Sequence, residues 1–557
     1  MSWRALIVGV ALAAPRLLAV GDVPPAKSPA AAPVSTDSAP AAQQGPKRAP
    51  RTKQKAAPAV NPASRPDGTA AQDARSGNPS SPGARAAGPA DAKRPASASK
   101  PATAPQALAP EVASGEDPQP LPTDPREGEP APCLSSNFPD RSCLVRHALC
   151  ERCLETARIA WQYFRKNTGP TGLVNAVDGY PSSTLWEAGS SLTAILAAGE
   201  FDLIAPKERD DRVAALLAAL ATQQLYRDEL PNKAYSTATN GMTDYANHPS
   251  AGGIGYSALD VSRLLSALDL VACLSPKHAE AAAHVASRYN FCRMVKGGQL
   301  FGAAVENGVD LPVQEGRTGY EQYAGRALER LGFQLPIASR YHNEFAATAQ
   351  VEGVPILYDN RDPKDYVAVN YVATESYALD AIENGLDAEN TPLLRNLFEA
   401  QKRRWQRTGI VTAVTEDHVD RPPYFIYNTI FASGEAWKTV TDSNQDMAPL
   451  KSLSVKAAFS LATLFPSEPY SAVLVDAVAS AYDPAHGYYA GIYESGIGYN
   501  RALTANTNGV VLEMMLYKAY GPLHAACSRC RRGLRLPARF ADAEAASARC
   551  EPKPRKP

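Results

Sequence analysis

From residue 144 onward, apolar residues recur at helical spacing in twelve stretches of two alternating kinds. One kind is amphipathic and heavily charged: 144–166, 207–225, 276–289, 336–350, 392–407 and 468–481. The other is apolar almost all round and opens on aromatic, acidic or small polar residues: 185–198, 256–273, 320–333, 370–385, 450–465 and 506–520. A helix that is apolar on every side has to be buried on every side. The links from an apolar stretch to the next charged one are short, as in AGEFDLIAP, LSP and LFPSEP. The links in the other direction are long and rich in Gly, Tyr, Asn and Asp. Short links make antiparallel neighbours. Six charged–apolar pairs with every long loop on one face predict an all-α protein, an (α/α)6 toroid with the apolar helices inside. Residues 410–415 and 424–431 are β-prone and predict small hairpins on that face. The repeat is one of structure, without a strict sequence period.

Ahead of the helices the pattern changes. Residues 1–20 carry Arg4 and a short apolar core from Ala5 to Ala14, the form of an export signal and too short for a good membrane span. The expected destination is the periplasm or the exterior, with no stable membrane span after removal of the signal. Residues 21–132 are Ala, Pro, Ser, Gly, Lys and Arg, which bury too little apolar surface to order the chain, so a disordered linker is expected. The helical domain then runs over 133–525, and 526–557 is a Cys- and Arg-rich extension expected to be irregular and exposed. Lys plus Arg and Asp plus Glu are both 57, a balance that does not suit a nucleic acid partner.

The 9 cysteines open and close the helical region: Cys150-x-x-Cys153 at its start, Cys527-x-x-Cys530 at its end. A closed ring brings the two pairs together. In an exported protein a disulfide between them is the first reading, and a four-Cys zinc site the second. Cys133, Cys143 and Cys550 join the same region, while Cys273 and Cys292 bracket a helix and are expected to be buried free thiols. The 8 histidines form no pair with metal spacing on a helix. DNRDPKDY, from Asp359, lacks the Gly and Glu of a calcium loop and reads as a solvated turn. There is no Walker loop, dinucleotide fingerprint or nucleophile elbow, and neither a metal nor a cofactor is expected.

The long-loop face carries the chemistry. QEGRTGYEQY brings Glu315, Arg317, Tyr320, Glu321 and Tyr323 to the start of an apolar helix. Further acids are Glu187 in TLWEAG, Asp244 in MTDYANH, Glu375 in ATESY, Glu416 and Asp417, and Glu494 in YESG. Glycoside cleavage needs one protonated carboxyl at the leaving oxygen and a second carboxylate to activate water or to attack. Glu187, Glu315, Glu321 and Glu375 lie near starts of inner helices and are the expected catalytic acids, although an acid in a first turn also favours the helix dipole. Trp186, Asp244, Arg317, Tyr320, Tyr323, Glu494, Asn506 and Asn508 are the expected sugar-binding residues, since flat rings with a polar edge suit a sugar face and amides suit its hydroxyls.

The stretches AWQYFRKNTGPTGLVN, STLWEAGS, YSALDVSRLL, QEGRTGYEQYAGRAL, YVATESYALD, YYAGIYESG and NTNGVVLEMMLY resemble, as a set, the bacterial domain-of-unknown-function family numbered 3131, which is glucoamylase-like. The resemblance implies an (α/α)6 barrel related to β-1,2-glucan-acting glycoside hydrolases. It makes Glu187, Glu315, Glu321, Glu375 and Glu494 the acids of the family's motifs. One departure is Glu187, where the family pattern after the Trp of TLW leads one to expect Asp. The expected function is an exported protein that cleaves or transfers a glucan by paired carboxylates. The alternative is a non-catalytic polysaccharide-binding protein of an exopolysaccharide system. A lyase would want a Tyr or His base in a basic cleft, which the acid-rich face argues against.

Overall fold

The computed structural model describes residues 143–536, apart from 307, 316, 367 and 368. The expected leader (1–20), linker (21–132) and residues 537–557 of the extension lie outside the described residues.

The helices are α1 (Glu151–Asn167), α2 (Leu185–Glu200), α3 (Pro206–Thr222), α4 (Ala258–Leu274), α5 (Ala279–Ser287), α6 (Tyr320–Glu329), the short α7 (Pro363–Tyr366), α8 (Thr374–Glu383), α9 (Asn390–Thr408), α10 (Val455–Leu464), α11 (Pro469–Val478), α12 (Ala505–Tyr520) and α13 (Leu523–Arg529). The apolar helices α2, α4, α6, α8, α10 and α12 pack in that order, and α12 returns to α2, so they close a ring. Two approaches are tight enough to need glycine. A Cβ on Gly189 of α2 would lie 3.1 Å from Arg263 of α4, and one on Gly509 of α12 would lie 2.8 Å from Ser190 of α2. Amphipathic helices stand outside: α1 against α12 and α2, α3 against α2 and α5, α5 against α4, α9 against α8, and α11 against α10.

The sixth outer helix, expected at 336–350, is not there. Residues Ala346–Val351 instead pair antiparallel with Val354–Asp359, and the hairpin packs on α9. Glu352 and Gly353 both take positive φ, 51° and 71°, which matches the twist of a two-residue hairpin turn. The β-branched and aromatic residues of VPILYD then favour the strand over the helix.

The all-α expectation is also corrected. Among the described residues seven small sheets form, and every strand lies in a link that leads into an inner helix. The 424–431 segment does form a strand, Phe425–Asn428, paired with Glu416–His418, whereas 410–415 is not a strand. Polar caps end the loops. Thr184, Ser257, Ser454 and Thr504 each accept a backbone N–H from the first turn of α2, α4, α10 and α12.

Disulfides tie the two ends of the described chain together, but by other partners than expected. Cys143 bonds Cys530 and Cys273 bonds Cys527, with Cα atoms 5.1 and 5.6 Å apart, while Cys150 bonds Cys153. Cys292 is disulfide-bonded as well. The physical reason is α13. It folds back against α4 and α8 instead of trailing away as an irregular extension, which brings Cys527 to the end of α4.

At the centre of the ring Arg263 of α4, Glu383 of α8 and Glu513 of α12 meet with no exposed surface. They come from every second inner helix, so they meet across the axis. Arg263 pairs with both carboxylates; Tyr323 donates to Glu383 at 2.9 Å, and Ser266 and His524 extend the network. The guanidinium lies 5.8 Å from the ring of Trp186.

Candidate active site

The first turns of the inner helices bring one connected set of polar side chains to the long-loop end of the ring. Trp186 of α2 donates its indole N–H to Asn506 Oδ1 of α12 at 3.0 Å, and Asn506 Nδ2 donates to Glu375 Oε1 of α8 at 2.8 Å. Glu375 Oε2 pairs with Lys456 Nζ of α10, which lies 3.5 Å from Asp417 Oδ1. Aromatic rings run beside this chain: Trp186 to Tyr320 at 5.8 Å, Tyr320 to Tyr371 at 6.2 Å, and Tyr371 to Tyr427 at 4.3 Å between centroids. The Tyr371 hydroxyl donates to Glu416 at 2.6 Å, and the Arg317 guanidinium lies 5.1 Å from the Tyr371 ring. Glu187, Glu375, Asp417, Lys456 and Tyr320 are buried and make a floor. Lys233, Tyr245, Asp260, Arg317, Glu416 and Tyr427 keep part of their surface exposed and make the mouth.

Six carboxyl groups (Glu187, Asp260, Glu315, Glu375, Glu416 and Asp417) interact here with three cations, Lys233, Arg317 and Lys456. The acids outnumber the cations, and burial disfavours charge, so protons are held. Asp260 shows the effect most clearly. Burial first, then the charges of Glu187 and Glu315, push its carboxyl up to about 8. It forms no ion pair with any described residue. Glu187 is also raised by burial, against the opposing hydroxyl of Thr184, which caps α2 together with it. Glu315 is raised by burial and opposed by Lys233; it accepts the Leu259 N–H at 3.0 Å and so caps α4. Burial and the nearby Glu375 raise Glu416, and burial takes Asp417 up to about 7 against Lys456. Burial alone would lower Lys456, but Glu375, Asp417 and Glu416 together raise it. Burial, helped by Lys456, takes His418 down to about 4, so its ring is neutral at pH 7. Among the described residues no group of three or more His, Cys, Asp or Glu side chains is arranged to hold a metal ion.

Seven of the expected residues come together in this set: Trp186, Glu187, Glu315, Arg317, Tyr320, Glu375 and Asn506. Five do not. Glu321 is fully buried, pairs with Arg361 at 2.5 Å and accepts the Leu300 N–H at 2.9 Å, so it anchors the Gln299–Glu306 strand. Tyr320 and Glu321 are adjacent in α6, and about 100° of rotation per residue sends them to different sides. Arg361 also pairs with Asp359 and both are buried, so the expected solvated turn opens on a packed ionic corner, while residues 362–365 are exposed as expected. Tyr323 points below the floor to Glu383 and to Arg263 at 3.1 Å. Asp244 closes its own loop, accepting the His248 N–H at 2.8 Å. Glu494 is held by Arg404 at 2.8 and 2.7 Å. Asn508 accepts the Tyr488 N–H at 2.8 Å and donates to the Thr504 carbonyl at 3.0 Å.

The residues singled out in the sequence did not include Asp260, Lys233 or Lys456. A signal for Asp260 was present. It follows the cap Ser257 by three residues, as Glu187 follows the cap Thr184, so the two acids occupy the same position of neighbouring helices. The lysines carried no comparable signal.

Residues 155–521 match the model of a family described as "Protein of unknown function (DUF3131)". No curated protein matches the chain. Among solved structures, a putative glucoamylase from Bacteroides fragilis is similar at 14% identity, with a TM-score of 0.49, over 72% of this chain and 98% of that one. An endo-β-1,2-glucanase from Chitinophaga pinensis, in complex with sophorotriose and glucose, is similar at 15% identity and a TM-score of 0.49, over the same 72% and 98%. An endo-β-1,2-glucanase from Talaromyces funiculosus, in complex with sophorose, is similar at 12% identity and a TM-score of 0.44, over 68% of this chain and 85% of that one.

Proposed function

The chain belongs to the family of unknown function DUF3131, and on that premise we propose that it is a glycoside hydrolase or transglycosylase that acts on a glucan at the carboxyl cluster. The observation that carries this is Asp260: a partly exposed carboxyl, free of any ion pair with the described residues, that stays protonated near neutrality beside a second acid, Glu187. Asp260 is the general acid and delivers its proton to the leaving glycosidic oxygen. Glu187 is its counterpart. Repulsion between the two falls on Asp260, so Glu187 ionises first and activates water or attacks the sugar. Glu375, clamped by Lys456 and Asn506, and Glu315 at the cap of α4 sit around that pair and shape its field. Tyr245 and Tyr427, which keep part of their surface exposed, offer their faces to the sugar rings above the buried rings of Trp186, Tyr320 and Tyr371. Arg317 and Lys233 meet hydroxyls at the mouth. The ring of six inner helices is read as an (α/α)6 toroid with one outer position taken by a hairpin.

We also propose that the protein works outside the cytoplasm, periplasmic or secreted. The disulfides Cys143–Cys530 and Cys273–Cys527 support this, because such bonds persist in oxidising compartments.

The test is a screen of the purified chain against a panel of glucans, with detection of new reducing ends and of transfer products. Hydrolysis or transfer that disappears in Asp260→Asn and in Glu187→Gln but survives in Glu321→Gln supports the assignment. Glucan binding without turnover would make the protein a polysaccharide-binding one instead.

A further inference from the structure

The Cys150–Cys153 bond differs from the two disulfides that tie the chain's ends. Cys143–Cys530 and Cys273–Cys527 span 387 and 254 residues, and cross-links over such spans restrict the unfolded chain strongly. Cys150–Cys153 spans 3 residues and restricts it far less. Its contribution to stability therefore does not explain it. Exposure differs too. Cys273 and Cys527 are buried and Cys143, Cys530 and Cys153 half-buried, whereas Cys150 is exposed. The sulfur of Cys150 is also held in a particular way. Cys150 caps the 17-residue α1, and the Cys153 N–H donates to its Sγ at 3.1 Å. A backbone donor and the positive end of a helix both favour negative charge on that sulfur once the bond opens. Arg152 and Lys518 add positive charge and Glu155 opposes it around a cleft of about 230 Å³ that borders both sulfurs, with Tyr482 and Tyr488 on its wall.

We propose that Cys150–Cys153 is a redox-active disulfide that exchanges with a dithiol protein. A thiolate of the dithiol attacks Cys150 Sγ. The Cys150–Cys153 bond breaks, and its electron pair leaves on Cys153, which takes a proton from solvent. The second thiol of the dithiol, as its thiolate, then attacks the partner sulfur of the mixed disulfide and releases Cys150. The dithiol ends as a disulfide and the pair here as two thiols, a transfer of two electrons and two protons. Cys150 is the sulfur attacked because it is the exposed one, and Cys153 is the leaving one. The glucan-cleaving site plays no part in this step.

The test uses the full oxidised chain with reduced thioredoxin as the dithiol protein, acid quenching, alkylation of free thiols and peptide mapping. Cys150 and Cys153 should be alkylated at least about tenfold faster than Cys143, Cys273, Cys527 and Cys530. A smaller ratio overturns the proposal. The double variant Cys150→Ser, Cys153→Ser should keep its Tm within about 5 °C of the parent, as a bond over so short a loop implies. A larger fall makes the bond structural and overturns the proposal as well.

Discussion

Two knots of buried carboxylates belong to the same ring of helices, and the protein treats them oppositely. At the centre, Arg263 reaches both Glu383 and Glu513, and hydroxyls of Tyr323 and Ser266 join them. Burial would raise Glu383, but Arg263 holds it low; burial and the charge of Glu383 keep Glu513 protonated. One cation and one anion remain, so the knot is neutral. At the long-loop end, six carboxyls share three cations, and excess protons are carried on Asp260 and Asp417. A balanced knot fixes helices in place. An unbalanced one holds protons that a substrate can take. The indole of Trp186 touches both, lying 5.8 Å from the Arg263 guanidinium and 5.8 Å from the Tyr320 ring.

Breaking the balanced knot should cost the most stability. Arg263→Leu leaves two carboxyls without their cation in a dry interior, and a loss of about 3–5 kcal/mol in urea denaturation is expected. A loss under about 1 kcal/mol would mean the centre is not held by charge.

The same experiment at the mouth should separate stability from activity. Asp260→Asn is expected to lower turnover about 10²-fold or more on a cleaved glucan. Stability should hold or rise, because a carboxyl crowded by Glu187 and Glu315 is relieved. The pH dependence follows in sign. The folded protein holds the Asp260 proton to about 8, well above an unfolded aspartate near about 3.9, so folded chains bind more protons across that window. Stability from this group therefore declines as pH rises from about 4 to about 8, and Asp260→Asn flattens the decline. Turnover should fall as the acid ionises above about 8, an alkaline limb absent from a purely binding protein.

Glu321→Gln sits between the two cases. It should cost about 1–3 kcal/mol through the weakened link to Arg361, yet leave turnover within about threefold. A large fall in kcat with an intact fold would return Glu321 to the mechanism. Asp244→Asn, in a loop that closes on itself, should change stability by less than about 0.5 kcal/mol and turnover hardly at all.

Most of the ring was legible in the sequence because its inner helices are apolar all round and its links differ in length by direction. The hairpin at Ala346–Asp359 was not, because small and polar residues such as those around Ala346 fit either period, and pairing across the Glu352–Gly353 turn decides between them. The site was legible to the level of a helix's first turn and no further. At that level Glu187, Glu375 and Asn506 were grouped, and the structure brings them to the same end of the ring. That level could not tell Glu321 from Tyr320, since one step along α6 separates a side chain in the floor of the site from one under a strand. Asp260 went unsingled because a Ser cap followed by an acid three residues on is common helix-start grammar. Lys456 stands where an acid was looked for, and what makes it part of the site is the company of Glu375 and Asp417.

The Cys143–Cys530 bond has a mechanical consequence. It joins points 387 residues apart whose Cα atoms lie 5.1 Å from each other. A pull applied to the chain immediately before Cys143 and immediately after Cys530 passes through that covalent link. The helices between them are then a slack loop hung from a closed clasp. Cut the clasp with a reductant, and the same pull begins to peel the first and last helices, α1 and α12, which are packed against each other.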